Sequence, residues 1–201
     1  MKFKRDNKAK ENFEKVTKSI EKKVFHEAAH FSHGLKAGNV FWGNFVQDEV
    51  ANIIVSLGDN PYGDGTYPSI ESGKRIALAE GWANFCESKC MVEYYDGSGE
   101  ENFNMQTIPS QNMFAWHLTG LFWDIFDANF DTNSYTINGQ NGDTLCRIID
   151  YLQIGNMNNL APVYNKLICD VNNGIDLKNR LLLSYPSKGS QINQLFLKYL
   201  Y

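Results

Sequence analysis

Long apolar runs are missing from this chain of 201 residues. No stretch approaches the roughly 18 consecutive apolar residues that a membrane-spanning helix needs. The opening residues, MKFKRDNKAKENFEKV, also lack an apolar segment like that of a signal peptide. We therefore expect no membrane span. The length of 201 residues fits one domain over residues 1–201, either complete or trimmed from a longer protein.

An excess of positive charge is missing as well. The 19 Lys and Arg residues stand against 23 Asp and Glu residues, which leaves a formal net charge of −4. Proteins that bind nucleic acids or anionic membranes present a basic surface. Nucleic acid is therefore not an expected partner.

Cysteine is scarce, and its spacing does not indicate a site. Cys86, Cys90, Cys146 and Cys169 are too few and too spread for a disulfide framework, and their disulfide state does not follow from the sequence. Cys86 and Cys90 lie four apart, but no second pair completes a metal site, so we interpret them as buried residues of a helix face. No Gly-rich phosphate loop and no GxSxG motif occurs, which disfavours nucleotide and serine-nucleophile chemistry.

Apolar periodicity predicts a mainly α domain with minor β structure. One helix is expected to run through VFHEAAHFSHGLKAG and to end near Gly34, a residue suited to closing a helix. The next run, NVFWGNFVQDEVANIIVSL, fits a helix or a strand, and the Gly- and Pro-rich GDNPYGDGTYP that follows is expected to be a loop. A single apolar stripe in SGKRIALAEGWANFCESKCMVEYY indicates a second long helix.

The second half of the chain predicts further helices and one hairpin. QNMFAWHLTGLFWDIFDANF is expected to be a buried helix, and the Asn-Gly pair in DTNSYTINGQNGD is typical of a tight hairpin turn. Three shorter helical patterns follow, around Leu145 to Leu152, Leu160 to Val171 and Ile192 to Leu200.

The residues His26-Glu27-Ala28-Ala29-His30 form an HExxH pattern. On a helix, residues four apart share one face with their β-carbons about 6 Å apart, so two imidazoles can reach one Zn²⁺ at about 2.1 Å. Glu27 would point towards the open coordination position, where a carboxylate can accept a proton from the zinc-bound water. The pattern therefore predicts His26 and His30 as zinc ligands and Glu27 as general base.

A catalytic zinc usually has three protein ligands, so a third is needed. His33 lies on the face of His26, but about 10 Å further along the helix axis, and we interpret it as a plain helix-end histidine. Glu80 is the favoured third ligand, because a lone carboxylate in the weakly polar run IALAEGWANF is costly unless it is paired or bound to a metal.

The assignment of Glu80 as a ligand has one alternative and one supporting residue. It could instead pair with Lys74 or Arg75 on the surface of its helix. Asn84 lies one turn after Glu80, where its side chain could accept the second N–H of a ligand imidazole, and whether it orients His26 does not follow from the sequence.

HEAAH, followed about fifty residues later by AEGWANF, resembles the gluzincin zinc peptidases, particularly the thermolysin and fungalysin groups. HLTGLFWDIFDAN is also similar to the HxxGxxW and LWxxxD elements of fungalysin-like chains, so the resemblance covers about Val24 to Asn129. It implies a zincin-like catalytic domain with a zinc cofactor and a peptide or polypeptide substrate. The ligands would be His26, His30 and Glu80, with Glu27 as base, and peptidases of this kind mostly act outside the cell or in its envelope.

The chain departs from these families in two places. Asn84 replaces an expected Asp, and only 25 residues precede the HExxH, where related enzymes carry a substrate-binding edge strand. The segment from Asn39 to Leu57 could supply that edge.

The transition-state donor and the activity itself stay open at this point. The candidates for the donor are His117, Tyr62 and Tyr67. Two alternatives to a peptidase are a catalytically weak or inactive zinc-bound surface or interaction domain, and a metal-free helical domain whose HExxH is accidental.

Overall fold

A computed structural model describes residues 2–56, 70–95, 117–126, 134–137, 140–144, 159–199 and 201. The helices are α1 (Lys2–Val55), α2 (Ile70–Tyr94), α3 (His117–Phe126), α4 (Ala161–Tyr164), α5 (Gly174–Ser184) and α6 (Gly189–Lys198), with a short 3-10 helix at Pro186–Lys188. The strands β1 (Ser134–Ile137) and β2 (Gln140–Thr144) form one antiparallel pair. The prediction of a mainly α chain is confirmed, and the strand pair brackets the predicted Asn-Gly turn.

The first helix does not end where the sequence predicted. Gly34 lies inside α1, and the helical backbone is interrupted only at Gly38, where φ is 81° and ψ is 173°. The expected end near Gly34 is wrong, because Leu35, Lys36 and Ala37 are good helix formers and continue the helix to the next glycine.

The segment beyond Gly38 is helical up to Val55. The alternative of a strand is therefore wrong, and this segment does not supply a substrate-binding edge strand over its described length. Its aromatic residues Phe41 and Phe45 are buried in the core.

The middle of α2 lies in the hydrophobic core. Every residue from Ile76 to Phe85 is buried, since α2 packs against α1 on one side and α3 on another. A β-carbon at Gly81 would lie 2.6 Å from the β-carbon of Leu118, so a glycine at this position allows α3 to approach α2 closely. Glu80 thus enters the core one residue before this close approach of α3 to α2.

The C-terminal helices complete the core. Tyr199, which follows α6, donates a hydrogen bond of 2.5 Å to the buried Asp124 of α3. The helix predicted around Leu160 to Val171 is limited to α4, and α6 begins three residues earlier than the pattern around Ile192 suggested.

One helix, α5, was not predicted. Its N-cap residue Asn173 accepts a hydrogen bond from the backbone N–H of Asp176 at 3.0 Å, a capping signal that the apolar pattern does not contain. The predicted loop at residues 58–68 and the predicted helix from Leu145 to Leu152 lie outside the described residues. Within the described part of the chain, none of the helices combines the length and the apolar character needed to cross a membrane.

Candidate metal centre

Two helices bring together the three predicted ligands. His26 and His30 lie one turn apart on α1, and their Nε2 atoms are 3.0 Å from each other. Glu80 of α2 places Oε1 3.0 Å from Nε2 of His30 and Oε2 3.3 Å from Nε2 of His26. One ligand atom from each residue therefore lies within 4.8 Å of the other two, a group that could hold a metal ion.

These distances suit a small tetrahedral cation. Ligand atoms placed 2.0–2.1 Å from a zinc ion in a tetrahedron lie about 3.3 Å apart, close to the separations between the two imidazoles and the carboxylate. The buried Nδ1 atom of His30 has no hydrogen-bond partner among the described residues, whereas Oε2 of Glu80 faces Nε2 of His26. A buried carboxylate is costly unless a cation or hydrogen-bond donors satisfy it, and a metal ion or a protonated imidazole can do so here.

Charge is concentrated at this group. Burial alone would lower the pKa of His26, but the carboxylates of Glu80 and Glu87 outweigh it and raise that pKa to about 9. Burial alone would raise the pKa of Glu80, whereas the imidazoles of His26 and His30 lower it to about 2. In the metal-free protein a proton on His26 balances the carboxylates, and a bound cation would replace that proton.

Glu87 contacts the ring nitrogen of His26 that does not face His30 and Glu80. Its Oε2 lies 3.1 Å from Nδ1 of His26, and its Oε1 lies 3.3 Å from Nζ of Lys22. A carboxylate at the second nitrogen of a ligand imidazole fixes the tautomer and the ring orientation. Sequence reasoning missed Glu87, although it lies two helical turns after Glu80 and therefore on the same face of α2.

The role expected of Asn84 is not the one the structure shows. Its amide nitrogen donates a hydrogen bond of 2.8 Å to the backbone carbonyl of Glu80, inside the same helix. The carboxylate next to the second nitrogen of His26 belongs to Glu87 instead. The alternative surface pairing of Glu80 is also wrong, because Lys74 contacts Glu71 and Arg75 contacts Asp48.

Glu27 lies beside the cluster and outside it. It is exposed at the surface and, with His30, lines a cavity of about 500 Å³ whose other walls are Phe31, Gly34, Leu35, Gly38, Asn39 and Trp42. On its other side Glu27 borders a second, mostly apolar cavity with Ile20, Val24 and Phe31. Its carboxylate can therefore meet a molecule that enters either cavity, and in the first cavity that molecule would also meet His30.

His33 is not a helix-end histidine. Its side chain is fully buried, its ring lies 4.8 Å from that of Phe41, and neither ring nitrogen has a hydrogen-bond partner within the described residues. Burial lowers the pKa of His33 to about 3, so the ring is neutral. The prediction was wrong because α1 continues beyond Gly34 and its second segment folds back over His33. Among the described residues, the possible ligand group contains His26, His30 and Glu80.

The remaining candidates add little to the site. Tyr62 and Tyr67 lie outside the described residues, and His117 begins α3 with a side chain that is also outside them. Cys86 and Cys90 are free and partly buried, as expected of helix-face residues, and burial raises the pKa of both thiols. Cys169 is free and exposed, and Cys146 lies outside the described part.

Comparisons with known proteins give no family assignment. No family model, no curated protein and no solved structure matches the chain. The function must therefore be argued from the residues of this site.

Proposed function

We propose that the chain is a zinc-dependent metallopeptidase, in which His26, His30 and Glu80 hold the metal and Glu27 is the general base. The observation that supports this proposal best is the meeting of three ligand atoms from two helices within 4.8 Å, beside an HExxH glutamate. The three ligands found among the described residues would leave a fourth tetrahedral position for water, the arrangement of catalytic zinc sites. A closed structural site would have a fourth protein ligand instead.

In the proposed hydrolysis, the zinc ion, Glu27 and Glu87 would each have a separate role. A zinc ion at this site would act as a Lewis acid that lowers the pKa of a bound water to about 7 and polarises the substrate carbonyl. Glu27 would take a proton from the attacking water and pass it to the leaving amine. Glu87, through Nδ1 of His26, would keep the Nε2 atom directed at the metal.

The cavity next to Glu27 gives a substrate room to bind. Its volume of about 500 Å³ falls within the usual range for sites that bind small molecules or side chains. Phe31, Leu35 and Trp42 provide its apolar surface, while His30 and Glu27 provide the polar groups. Peptide bonds are proposed as the target on the strength of the resemblance to gluzincins over Val24 to Asn129, and an extracellular or cell-envelope location has the same basis.

The decisive experiment is the substitution Glu27→Gln. The variant should bind as much zinc as the parent, because Glu27 is not part of the ligand group. It should lose hydrolysis of casein or a peptide library by a factor of about 10² or more, since the general base is removed. Metal content is measured by elemental analysis after dialysis, and cleavage by mass spectrometry.

Glu14→Gln is the matched control. Glu14 is an exposed glutamate on the same helix, roughly 20 Å along the axis from Glu27, so this variant should keep both zinc and activity. Equal cleavage by the parent and by Glu27→Gln would contradict the mechanism. Bound zinc without cleavage of any substrate would favour the alternative of a zinc-bound interaction domain.

A further inference from the structure

The second cavity beside Glu27 has a cationic side chain in its wall. Its volume is about 520 Å³. The described residues that line it all belong to α1, and they are Ile20, Lys23, Val24, Glu27, Ala28 and Phe31. Three of them are large, exposed and apolar, namely Ile20, Val24 and Phe31. An apolar cavity with one ammonium group suits a ligand that combines an apolar part with an anionic group.

Lys23 is exposed, and its charge is not neutralised within the described part of the protein. It forms no hydrogen bond or ion pair there. The neighbouring Lys22, by contrast, places Nζ 3.3 Å from Oε1 of Glu87. Lys18 places Nζ 4.8 Å from the ring centroid of Tyr95. The ammonium group of Lys23 is therefore available to an anion in the cavity.

Glu27, one turn further along α1, leaves Lys23 available. A lysine that precedes a glutamate by four residues is the weaker orientation of this helix pair, and the two side chains form no ion pair. The cavity therefore offers two separate positions. One suits an anion, and the other holds the proposed proton acceptor.

The rise of the helix sets the distance between these two positions. Four residues span about 6 Å along the helix axis, which is the length of about two residues of an extended peptide. A substrate carboxylate held at Lys23 would therefore bring a peptide bond one or two residues away to the carboxylate of Glu27. The C-terminal carboxylate of a peptide lies on the side of the leaving amine, to which Glu27 would pass its proton.

We propose that Lys23 is a specificity-determining residue that binds a carboxylate of the substrate on the side of the leaving amine. The apolar residues around it would bind the adjoining apolar side chain. A C-terminal carboxylate and an acidic side chain both supply this chemistry, and the first would direct cleavage to the last one or two peptide bonds. This inference rests on the proposed peptidase function and names a substrate class for it.

The first test measures binding without cleavage. Zinc is removed with a chelator, and fluorescence anisotropy follows three labelled peptides that share one apolar sequence. One peptide ends in a free carboxylate, one in an amide, and one in an amidated glutamate. The parent should bind a peptide with a carboxylate about three- to tenfold more tightly than the plain amide, between the effects of an exposed ion pair and of a charged hydrogen bond.

Three variants assign this preference to one side chain. Lys23→Met keeps the apolar stem and removes the charge, so the preference should disappear. Lys23→Arg restores a cation and should restore the preference. Lys15→Met is the matched control, because Lys15 is exposed on the same helix and does not line the cavity. It should leave the preference unchanged.

The second test measures cleavage by the zinc-loaded protein. Lys23→Met should raise KM for the preferred peptide about three- to tenfold and change kcat little, because it removes an interaction present before and during the reaction. Mass spectrometry identifies the source of the carboxylate. Release of one or two residues from the free-acid peptide indicates the C-terminal carboxylate, and cleavage next to the amidated glutamate indicates the side chain.

The outcomes separate this inference from the proposed function. Equal binding of all three peptides by the parent would overturn the role of Lys23, as would the same preference in the parent and in Lys23→Met. A preference that depends on Lys23, with no cleavage of any peptide by the zinc-loaded parent, would overturn the peptidase and leave a carboxylate-binding site.

Discussion

His26 is held from both sides by carboxylates. Glu80 lies at its Nε2 atom and Glu87 at its Nδ1 atom, 3.3 Å and 3.1 Å away. Because the Nδ1–H donates to Glu87, Nε2, which faces His30 and Glu80, is the nitrogen that would give up its proton to bind a metal ion. The orientation needed for metal binding is therefore prepared by residues that do not touch the metal.

Replacing Glu87 tests this arrangement. Glu87→Ala should weaken zinc binding by about 10- to 100-fold, because His26 loses the group that orients its ring. Asn84→Ala should change the affinity much less, since Asn84 donates to a backbone carbonyl and not to an imidazole. The measurement is zinc competition with a chromophoric chelator, and a larger loss in the Asn84 variant would contradict the assignment.

The sequence predicted those parts of the site that depend on short-range geometry. His26 and His30 share a face because four residues make about one helical turn. Glu80 could be selected because a lone carboxylate among apolar residues needs a partner. Glu87 escaped prediction because its contact with His26 joins two separate helices, and no spacing within one helix reveals it.

At the level of elements, the change of direction at Gly38 decides what surrounds the histidines. The helix after it carries Trp42 and Phe45 to within 6 Å of the ring of His30. The sequence left this segment open between helix and strand, because its apolar residues fit both periods. Packing against α2 favours the helix.

Two glycines of α1 make a matched pair for testing the kink. Gly38 has a φ of 81° and a ψ of 173°, a combination that is essentially restricted to glycine, and a β-carbon there would meet no atom within 4 Å. Gly38→Ala should therefore lower the free energy of unfolding by about 1–3 kcal/mol through backbone strain alone.

Gly43 is equally open but lies in the regular helix. Gly43→Ala should raise the free energy of unfolding by about 0.5–1 kcal/mol, because alanine is the better helix former. Urea unfolding of both variants in the presence of a chelator measures the difference without a metal contribution. Effects of the same sign would show that the backbone at Gly38 is not restrained.

For the whole molecule, the important fact is that the ligands come from two helices about fifty residues apart in the chain. A cation bound to all three closes this long segment of chain, and the unfolded state offers no preformed site. The cluster also adjoins the middle of α2, where every residue from Ile76 to Phe85 is buried. Metal binding should therefore stabilise the fold as a whole and not one loop.

Zinc at a free concentration 100-fold above its dissociation constant should add about 2.7 kcal/mol to the free energy of unfolding. For a chain of this length, that corresponds to a rise in Tm of about 5–10 °C. Differential scanning calorimetry with zinc and with chelator measures it. His30→Ala, which removes one ligand, should show no comparable rise, and a rise equal to that of the parent would argue against the site.

The size of this stabilisation should depend on pH through His26. Its folded-state pKa of about 9 lies above the ordinary 6.5, so its proton stabilises the metal-free protein fully below pH 6.5, and that contribution is lost as the pH rises through 9. A metal ion must displace the same proton. At one fixed free zinc concentration that exceeds the dissociation constant throughout, the metal-induced stabilisation should therefore grow by about 1.4 kcal/mol per pH unit between pH 6.5 and 8. Calorimetry across this range that gave a constant difference would mean that His26 binds no proton in the metal-free protein, or that it is not a ligand.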